Sequence, residues 1–436
     1  MACESPPARV SRSPVRVIIG CALLAGTGAA RAQASPADAP IAEPAGAEGM
    51  SGMAGFYGPY ALTRESSGTS WQPDSTFLTG LHRLSGRWMG MVHGLVNLIY
   101  DDQGGPRGAT QTFSNSWLML LARRELSDGA FGVRLMLSAD PLMGRDGYPL
   151  LFQTGETANG VVPLVDRQHP HDLLMEAAVT YSHDTSPDSS LYVYAGLPGE
   201  PALGPPAFMH RLSAVDNPQA PLGHHWLDST HVSWGVLTGG FIWRNLKLEA
   251  SAFNGREPDQ DHYNIETGPL DSWAVRLACN PGADWSLQAS SGHLVTPEQL
   301  EPGVNVQRTT ASVSYNAPLA LSWQTTVAWG HNAPTAGQGS DAFLLESEVR
   351  LTPAHAVFAR FERVGKDDLF LAGQPLYGRL FVVNSLSAGY VHDFVQLGGV
   401  SLGVGALVST YSYPSALNAS YAYRPTSFMV FMHARL

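Results

Sequence analysis

Much of the chain alternates apolar residues with polar or small ones, which is the pattern of a β-strand with one apolar face. In one stretch, for example, Leu246 and Leu248 share one face while Lys247 and Glu249 share the other. Clear cases of this alternation are the stretches 173–182, 246–252, 321–329, 400–408 and 427–436. The alternation predicts a protein built mainly from strands.

About sixteen alternating segments, within a range of about 14 to 18, cover the chain from Trp88 onward. Turns such as Asn280-Pro281-Gly282 separate them. No helical pattern lies between them, which argues against a parallel α/β sheet. The predicted strands start near Trp88, Thr112, Gly129, Leu173, Ser190, Ser229, Gly240, Ser272, Asp284, Arg308, Ala320, Ala342, Ala354, Val383, Gly398 and Ser427.

The two faces of these segments favour a membrane barrel. One face carries Leu, Val, Ala, Trp and Tyr, and the other carries Ser, Thr, Gly, Gln and scattered charges. Outer-membrane barrels turn their apolar face to lipid and their polar face to the lumen, and closure pairs every strand. Aromatic residues that suit the interface girdles are Tyr100, Trp226, Trp243, Trp273, Trp285 and Tyr390. The sequence therefore predicts an all-β fold, a transmembrane antiparallel β-barrel, with a soluble exported β-protein as the alternative.

The N-terminal residues have the features of an export signal. Three arginines precede the apolar stretch 17–26, and Ala30-Arg31-Ala32 offers a cleavage site before Gln33. We expect a signal peptide over residues 1–32, a flexible Ala-, Pro- and Gly-rich segment over 33–86, and the barrel over 87–436. Cleavage leaves Cys279 as the single cysteine of the mature chain, so no intramolecular disulfide is expected.

Charge excludes one class of partner. Only 14% of the 436 residues are charged, against roughly 25% in an ordinary soluble domain. The formal net charge is −11, so the chain lacks the basic surface that nucleic acids require.

Histidine is the most specific local signal. Seven of the fifteen histidines lie between His169 and His231, and six of them stand in the segments DRQHPHD, FMHRLSAVDNP and GHHWLDSTH. Imidazole and carboxylate groups are the usual ligands of zinc, copper, nickel and iron. The candidate metal ligands are Asp166, His169, His171, Asp172, His210, His224, His225 and His231. The alternative is a set of polar loops in which these groups only brace one another, and only the fold decides whether the segments converge.

Catalysis has little support from the sequence. Ser229 lies near His231 and Ser213 near His210, but neither serine stands in a Gly-x-Ser-x-Gly nucleophile elbow. Walker and dinucleotide-binding motifs are also absent from the sequence. We therefore expect a protein that is not an enzyme, and we keep a barrel-borne hydrolase as the last alternative.

Five blocks of the sequence resemble an uncharacterised family of exported bacterial outer-membrane barrel proteins, often encoded beside copper and other heavy-metal resistance genes. The blocks are GFYGPYALTRESSGTSWQPDST (55–76), DDQGGPRG (101–108), DRQHPHD (166–172), GHHWLDSTH (223–231) and FNGREPDQ (253–260). The resemblance implies a role in copper handling or resistance, and the expected bound ion is copper or zinc. The expected partners are outer-membrane lipid, metal ions or small solutes, and periplasmic metal-handling proteins. The alternative is a general porin-like channel for small solutes in which the His-rich loops are purely structural.

Overall fold

The computed structural model describes residues 53–77, 79–318 and 322–436. Its strands are β1 (Leu81–Ser85), β2 (Trp88–Asp102), β3 (Thr110–Leu126), β4 (Gly129–Leu137), β5 (Tyr148–Thr157), β6 (Pro163–Gln168), β7 (Leu174–Ser186), β8 (Ser189–Gly196), β9 (Val236–Trp243), β10 (Leu246–Phe253), β11 (Ser272–Gly282), β12 (Trp285–Leu294), β13 (Val306–Pro318), β14 (Ser322–Pro334), β15 (Ser340–Thr352), β16 (His355–Lys366), β17 (Phe381–Leu397), β18 (Val400–Ser412) and β19 (Thr426–Arg435). The α-helices are α1 (His224–Leu227) and α2 (Asn418–Tyr421). Short 3-10 turns cover Leu62–Arg64, Asp140–Met143, Phe208–His210, Leu212–Ala214, Ser229–His231 and Ser415–Leu417. Among these residues, no helix is long and apolar enough to cross a membrane.

Sixteen strands in the described part of the chain form one antiparallel sheet that closes where β19 pairs with β2. The order around the barrel is β2, β3, β4 and then β7 through β19. The short strand β1 pairs with the first residues of β2, while β5 and β6 form a separate hairpin. Tight turns lie at one end of the barrel and long loops at the other, the longest being residues 197–235 between β8 and β9. The predicted antiparallel barrel of about sixteen strands is confirmed.

The outer face of the barrel is apolar, as the alternation predicted. Leu248, Val327 and Val430 are exposed there, because their strand neighbours point into the barrel. Of the six predicted girdle aromatics, five are exposed: Tyr100, Trp243, Trp273, Trp285 and Tyr390. Trp226 is the exception, and its prediction was wrong. It belongs to α1, is only 6% exposed, and donates its indole N–H to Ser340 Oγ at 3.0 Å.

Two predicted strand starts were also wrong. Ser229 begins a 3-10 turn in the long loop 197–235, and Gly240 lies in the middle of β9. The loop was predicted as strand because its composition is similar to that of a strand. Most of its residues are buried, so it is rich in apolar and small side chains. Burial, rather than strand geometry, explains its composition.

The inner face of the barrel carries buried charges that pair across strands. Arg276 on β11 donates to Glu249 on β10 at 2.8 Å, and Arg360 on β16 donates to Glu346 on β15 at 3.1 Å. The long loop joins this network, because Arg211 donates to Glu346 at 2.5 Å. A buried charge is tolerated only when it is paired and hydrogen-bonded, so these contacts fix the loop to the barrel wall.

The chain before the barrel also packs against this inner face. Phe56 and Tyr57 are almost fully buried, and Thr69 Oγ1 donates to Glu249 at 2.6 Å. The composition predicted a flexible segment over 33–86, but residues 53–77 of it have many buried side chains and defined partners. The difference arises because its aromatic and hydroxyl side chains meet the polar lumen. The predicted signal peptide, residues 1–32, lies outside the described residues.

Candidate metal centre

Three long loops at one end of the barrel bring an imidazole and two carboxylates together. His225 comes from the loop between β8 and β9, Glu257 from the loop between β10 and β11, and Glu298 from the loop between β12 and β13. One ligand atom from each lies within 4.8 Å of the other two. His225 Nδ1 is 3.4 Å from Glu257 Oε2 and 3.6 Å from Glu298 Oε1. His225 and Glu257 are buried, whereas the Glu298 side chain is 32% exposed, so the group opens toward solvent on one side.

The fold holds His225 in place through its neighbours on α1. Gly223, just before the helix, donates its N–H to Glu362 on β16 at 2.9 Å. Asn332 on β14 donates to the carbonyl oxygen of His225 at 2.9 Å. The helix of one turn is therefore fixed to the barrel wall on two sides, and its position does not depend on helix propensity.

Four further histidines form a connected set of rings with His225. The ring centroid of His169 lies 5.7 Å from that of His225, and that of His224 lies 5.5 Å from it. His231 is 5.2 Å from His224 and 5.1 Å from His171. Because the loops that carry them converge inside the barrel mouth, residues that are distant in sequence form one array, which we call the histidine array (His169, His171, His224, His225 and His231).

Carboxylates orient several of these rings. His171 Nδ1 donates to Asp140 at 2.8 Å, and His224 Nδ1 donates to Asp228 at 2.9 Å. The buried Nε2 atom of His171 has no hydrogen-bond partner in the described part of the chain. Metal-binding histidines usually donate their second ring N–H to a carboxylate or carbonyl, which fixes the ring and leaves the other nitrogen for the metal. His171 has this arrangement.

His262 and Asp172 form a neighbouring pair in which a carboxylate also orients an imidazole ring. His262, from the loop between β10 and β11, donates Nδ1 to Asp172 at 2.9 Å, and Trp234 donates to the other oxygen of Asp172 at 3.0 Å. The Nε2 atom of His262 is buried and has no partner among the described residues.

Burial and charge set opposite protonation states within the array. Burial lowers the pKa of His169 and His224, and it lowers that of His231 to about 3. Burial alone would also lower the pKa of His225, but Glu257 and Glu298 raise it to about 10. The array therefore consists mostly of neutral imidazoles, which can bind metal, with one protonated ring between two carboxylates.

The residues present fit a divalent transition-metal ion. Both ring nitrogens of His225 and both carboxylate oxygens of Glu257 are buried without a hydrogen-bond partner among the described residues. Buried polar atoms are normally satisfied, so a group of four unsatisfied ligand atoms marks a position for a cation. One imidazole and two carboxylates suit zinc or copper(II), and the exposed side leaves a coordination position for water or a further ligand.

The structure brings together some of the sequence-predicted ligands and separates others. His225 lies against His169 and His224, which in turn contact His171 and His231. Asp172 lies beside His262. His210 and Asp166 lie elsewhere: the ring of His210 is 4.8 Å from that of Trp117, and Asp166 pairs with Arg107 at 2.6 Å.

Glu257, Glu298 and His262 were not predicted from the sequence. Glu257 stands within the FNGREPDQ block, which was a usable signal for its loop. Glu298 and His262 had no comparable signal, because single polar residues on long loops are common.

Comparisons with known proteins bear on the fold. No protein-family model matches the chain, and no curated protein matches it. Among solved structures, OmpF of Salmonella typhi in complex with daunomycin is similar, with a TM-score of 0.50 and 9% identity, covering 82% of this chain and 100% of the other. Pseudomonas putida OprB has a TM-score of 0.49 and 8% identity over 80% of this chain and 93% of its own. An anion-selective porin of Comamonas acidovorans has a TM-score of 0.48 and 11% identity over 80% of this chain and 100% of its own.

The chain is an outer-membrane β-barrel with a porin-like fold. Its apolar outer face meets lipid, and the polar inner face surrounds the lumen. In such barrels the short turns face the periplasm and the long loops face the outside. The His225–Glu257–Glu298 group, which we call the mouth centre, therefore lies at the outer opening of this barrel.

Proposed function

We propose that this barrel is a narrow porin-like channel for small solutes and that the mouth centre binds divalent transition-metal ions at its entrance. The channel part of the proposal rests on the closed barrel with a polar inner face. The metal part rests on one observation: His225, Glu257 and Glu298 place their ligand atoms within 4.8 Å of one another.

The filled interior supports passage of small species rather than bulky ones. Residues 53–77, the β5–β6 hairpin and the loop 197–235 all pack against the inner face of the barrel. Passage of an ion or a small polar molecule through the lumen requires a much smaller displacement of these segments than passage of a sugar. The inward charges that line the route are of both signs, so charge alone does not exclude cations.

The mouth centre favours zinc or copper(II) over magnesium or calcium. Hard cations prefer six or more oxygen ligands, whereas imidazole is a ligand of zinc, copper and nickel. A role in copper handling, and contact with periplasmic metal-handling proteins, stays a prediction of the sequence resemblance.

Metal binding and conductance on the purified protein test both parts. We expect calorimetric titration to show one Zn(II) or Cu(II) bound per chain, and His225→Ala to weaken that binding by more than about 100-fold, the upper range for loss of a site's supporting groups. His183→Ala is a matched control, since His183 is a half-exposed histidine on β7 at the opposite end of the barrel. Equal affinity in His225→Ala and His183→Ala would reject the metal site.

Planar-bilayer recordings separate the two parts. We expect small, stepwise conductance that falls when Zn(II) is added to the loop side and that is insensitive to Zn(II) in His225→Ala. Absence of conductance in both proteins would reject the channel but leave the metal site standing.

A second candidate function is a general small-solute porin in which the histidine array is structural. The observation in its favour is that His171 and His224 already donate to Asp140 and Asp228, which braces the loops without any ion. This candidate predicts conductance that is indifferent to Zn(II) in the wild-type protein.

A further inference from the structure

A row of soft and imidazole side chains crosses four neighbouring strands on the inner face of the barrel. His93 of β2 is paired directly with Met119 of β3, and Met119 is paired with Met136 of β4. Met136 is paired with Glu176 of β7, and Met175 precedes Glu176 in the chain. Directly opposed residues on antiparallel strands have Cβ atoms about 4.5–5.5 Å apart. The strand register therefore places Met119 and Met136 beside His93, and Met175 lies at the irregularity of the β4–β7 pairing next to Met136.

Residues of the long loop 197–235 also belong to this group. Met119, Met136 and Met175 form one buried cluster, with Met209 of the loop packed against it. The three clustered methionines also line a small cavity of about 10 Å³ together with His210 and His231 of the loop. That volume is close to the space needed by one water-sized particle. We call this group the methionine cavity.

His231, which lines this cavity, has a ring nitrogen without a hydrogen-bond partner among the described residues. Its Nδ1 donates to the backbone oxygen of Asp228 at 2.8 Å, which leaves Nε2 as the second ring atom. His231 is only 9% exposed, and its Nε2 has no hydrogen-bond partner in the described part of the chain. The Nε2 of His93 likewise has no hydrogen-bond partner among the described residues. The ring of His93 lies 6.1 Å from that of His210. An ordinary methionine core needs no imidazole, and buried nitrogens without partners destabilise the fold unless something binds them.

The charges around the cavity select the class of ion. Glu176 lines it but is held by Arg134 at 3.0 Å and by the hydroxyl of Tyr194 at 2.8 Å. Glu200 also lines it, and burial raises the pKa of that carboxyl to about 7. The remaining donors are neutral thioethers and imidazoles. A divalent ion would lose its hydration here with only the partly ionised Glu200 to compensate it, whereas a soft monovalent ion loses less.

We propose that the methionine cavity binds a soft monovalent d¹⁰ cation, copper(I) or silver(I), through the thioethers of Met119, Met136 and Met175 and the imidazole of His231. Thioether sulfur selects such ions because they are soft and polarizable. The site uses none of His225, Glu257 and Glu298, so it does not depend on the mouth centre.

Silver(I) is the probe, because it does not change oxidation state in air. Protein purified from outer membranes in detergent is titrated with silver nitrate in chloride-free buffer. All variants carry Cys279→Ala, which removes the thiol as a competing soft ligand. We expect one Ag(I) per chain in the parent protein, and at least a tenfold weaker affinity in each of Met119→Leu, Met136→Leu and Met175→Leu. Leucine keeps the volume and apolar character of methionine, so these variants are expected to fold.

Met89→Leu is the matched control. Met89 is also buried on the inner face of the barrel but belongs to a different cluster, so its substitution should leave Ag(I) affinity unchanged. X-ray absorption at the silver edge should show sulfur neighbours in the parent protein and fewer in the Met119→Leu variant. His225→Ala should lose Zn(II) binding and keep Ag(I) binding.

Three results would overturn the proposal. They are a parent protein that binds no Ag(I), cavity variants that bind it as tightly as the parent, and a Met89→Leu variant that weakens it as much as the cavity variants. Failure of Zn(II) binding with intact Ag(I) binding would reject only the mouth centre.

Discussion

The imidazole ring of His225 lies directly against the backbone of Gly155. A Cβ built at position 155 would stand 2.4 Å from Cε1 of that ring, and Gly155 has a positive φ of 112°. A side chain there must displace the ring, and an L-residue is strained in that backbone conformation. Gly155 on β5 therefore decides where His225 lies relative to Glu257 and Glu298.

Replacing this glycine should weaken metal binding without removing any ligand. We expect Gly155→Ala to reduce Zn(II) affinity by about 10–100-fold, the range found when supporting groups of metal sites are lost. Gly144→Ala is the control, because Gly144 also has a positive φ, of 97°, and none of the described residues other than its chain neighbours lies within 4 Å of its Cβ position. The prediction fails if both variants bind Zn(II) equally well.

The carboxylates of the mouth centre should matter more for metal binding than Asp166, one of the two aspartates that the sequence predicted as ligands. Asp166 is held by Arg107 at 2.6 Å and accepts the N–H of Phe152 at 2.7 Å, so it has no role at the centre. We expect Glu298→Gln to weaken Zn(II) binding and Asp166→Asn to leave it unchanged. Titration calorimetry of the two variants, side by side, checks this; the opposite order would contradict the assignment.

His225 should be protonated at neutral pH in the absence of metal. Burial alone would lower its pKa, but Glu257 and Glu298 raise it to about 10, above the ordinary value of 6.5. The stability that this ion pair contributes is therefore fully present below a pH of about 6.5 and is lost as the pH rises through about 10. NMR of protein with labelled histidine should show a protonated ring at a pH of about 8, and Glu257→Gln should lower its pKa.

Metal binding must then displace that proton, since only neutral imidazole binds metal. Calorimetry in buffers of different ionisation enthalpy should give release of about one proton per Zn(II) at a pH of about 8. Binding without proton release would mean that His225 is not a ligand or is already neutral.

The ion pair between Arg211 and Glu346 should hold the long loop inside the barrel. Glu346 accepts Arg211 at 2.5 Å and Arg360 at 3.1 Å, and all three side chains are buried. Removing one partner of a buried pair costs about 3–5 kcal/mol, so Glu346→Gln should lower the free energy of unfolding by that amount. We also expect larger conductance in planar bilayers, because the loop is released from the lumen.

Glu125→Gln serves as its control, because Glu125 is an exposed residue of β3. Urea titration followed by tryptophan fluorescence measures the stability of both variants. Equal stability and equal conductance in the two would show that the Arg211 contact does not anchor the loop.

The sequence predicted the fold well because strand alternation is a local property. Leu248 and Lys247 point to opposite faces whatever their neighbours are, and the barrel keeps that difference as lipid side and lumen side. The sequence predicted the histidine array in part. His169, His171, His224, His225 and His231 do converge, whereas the ring of His210 packs against Trp117 and, with His231, lines the methionine cavity.

What the sequence by itself determined is therefore the alternation, the approximate number of strands and the stock of histidines and carboxylates in the loops. The tertiary structure alone decided which of them meet. Glu257 and Glu298 reach His225 because closure of the barrel places the ends of β10, β12 and β8 around one opening. Met119 and Met136 meet because of strand register, and Met175 joins them where the β4–β7 register shifts, which depends on pairing between strands. Contacts of this kind depend on long-range closure, and no local pattern of residues encodes them.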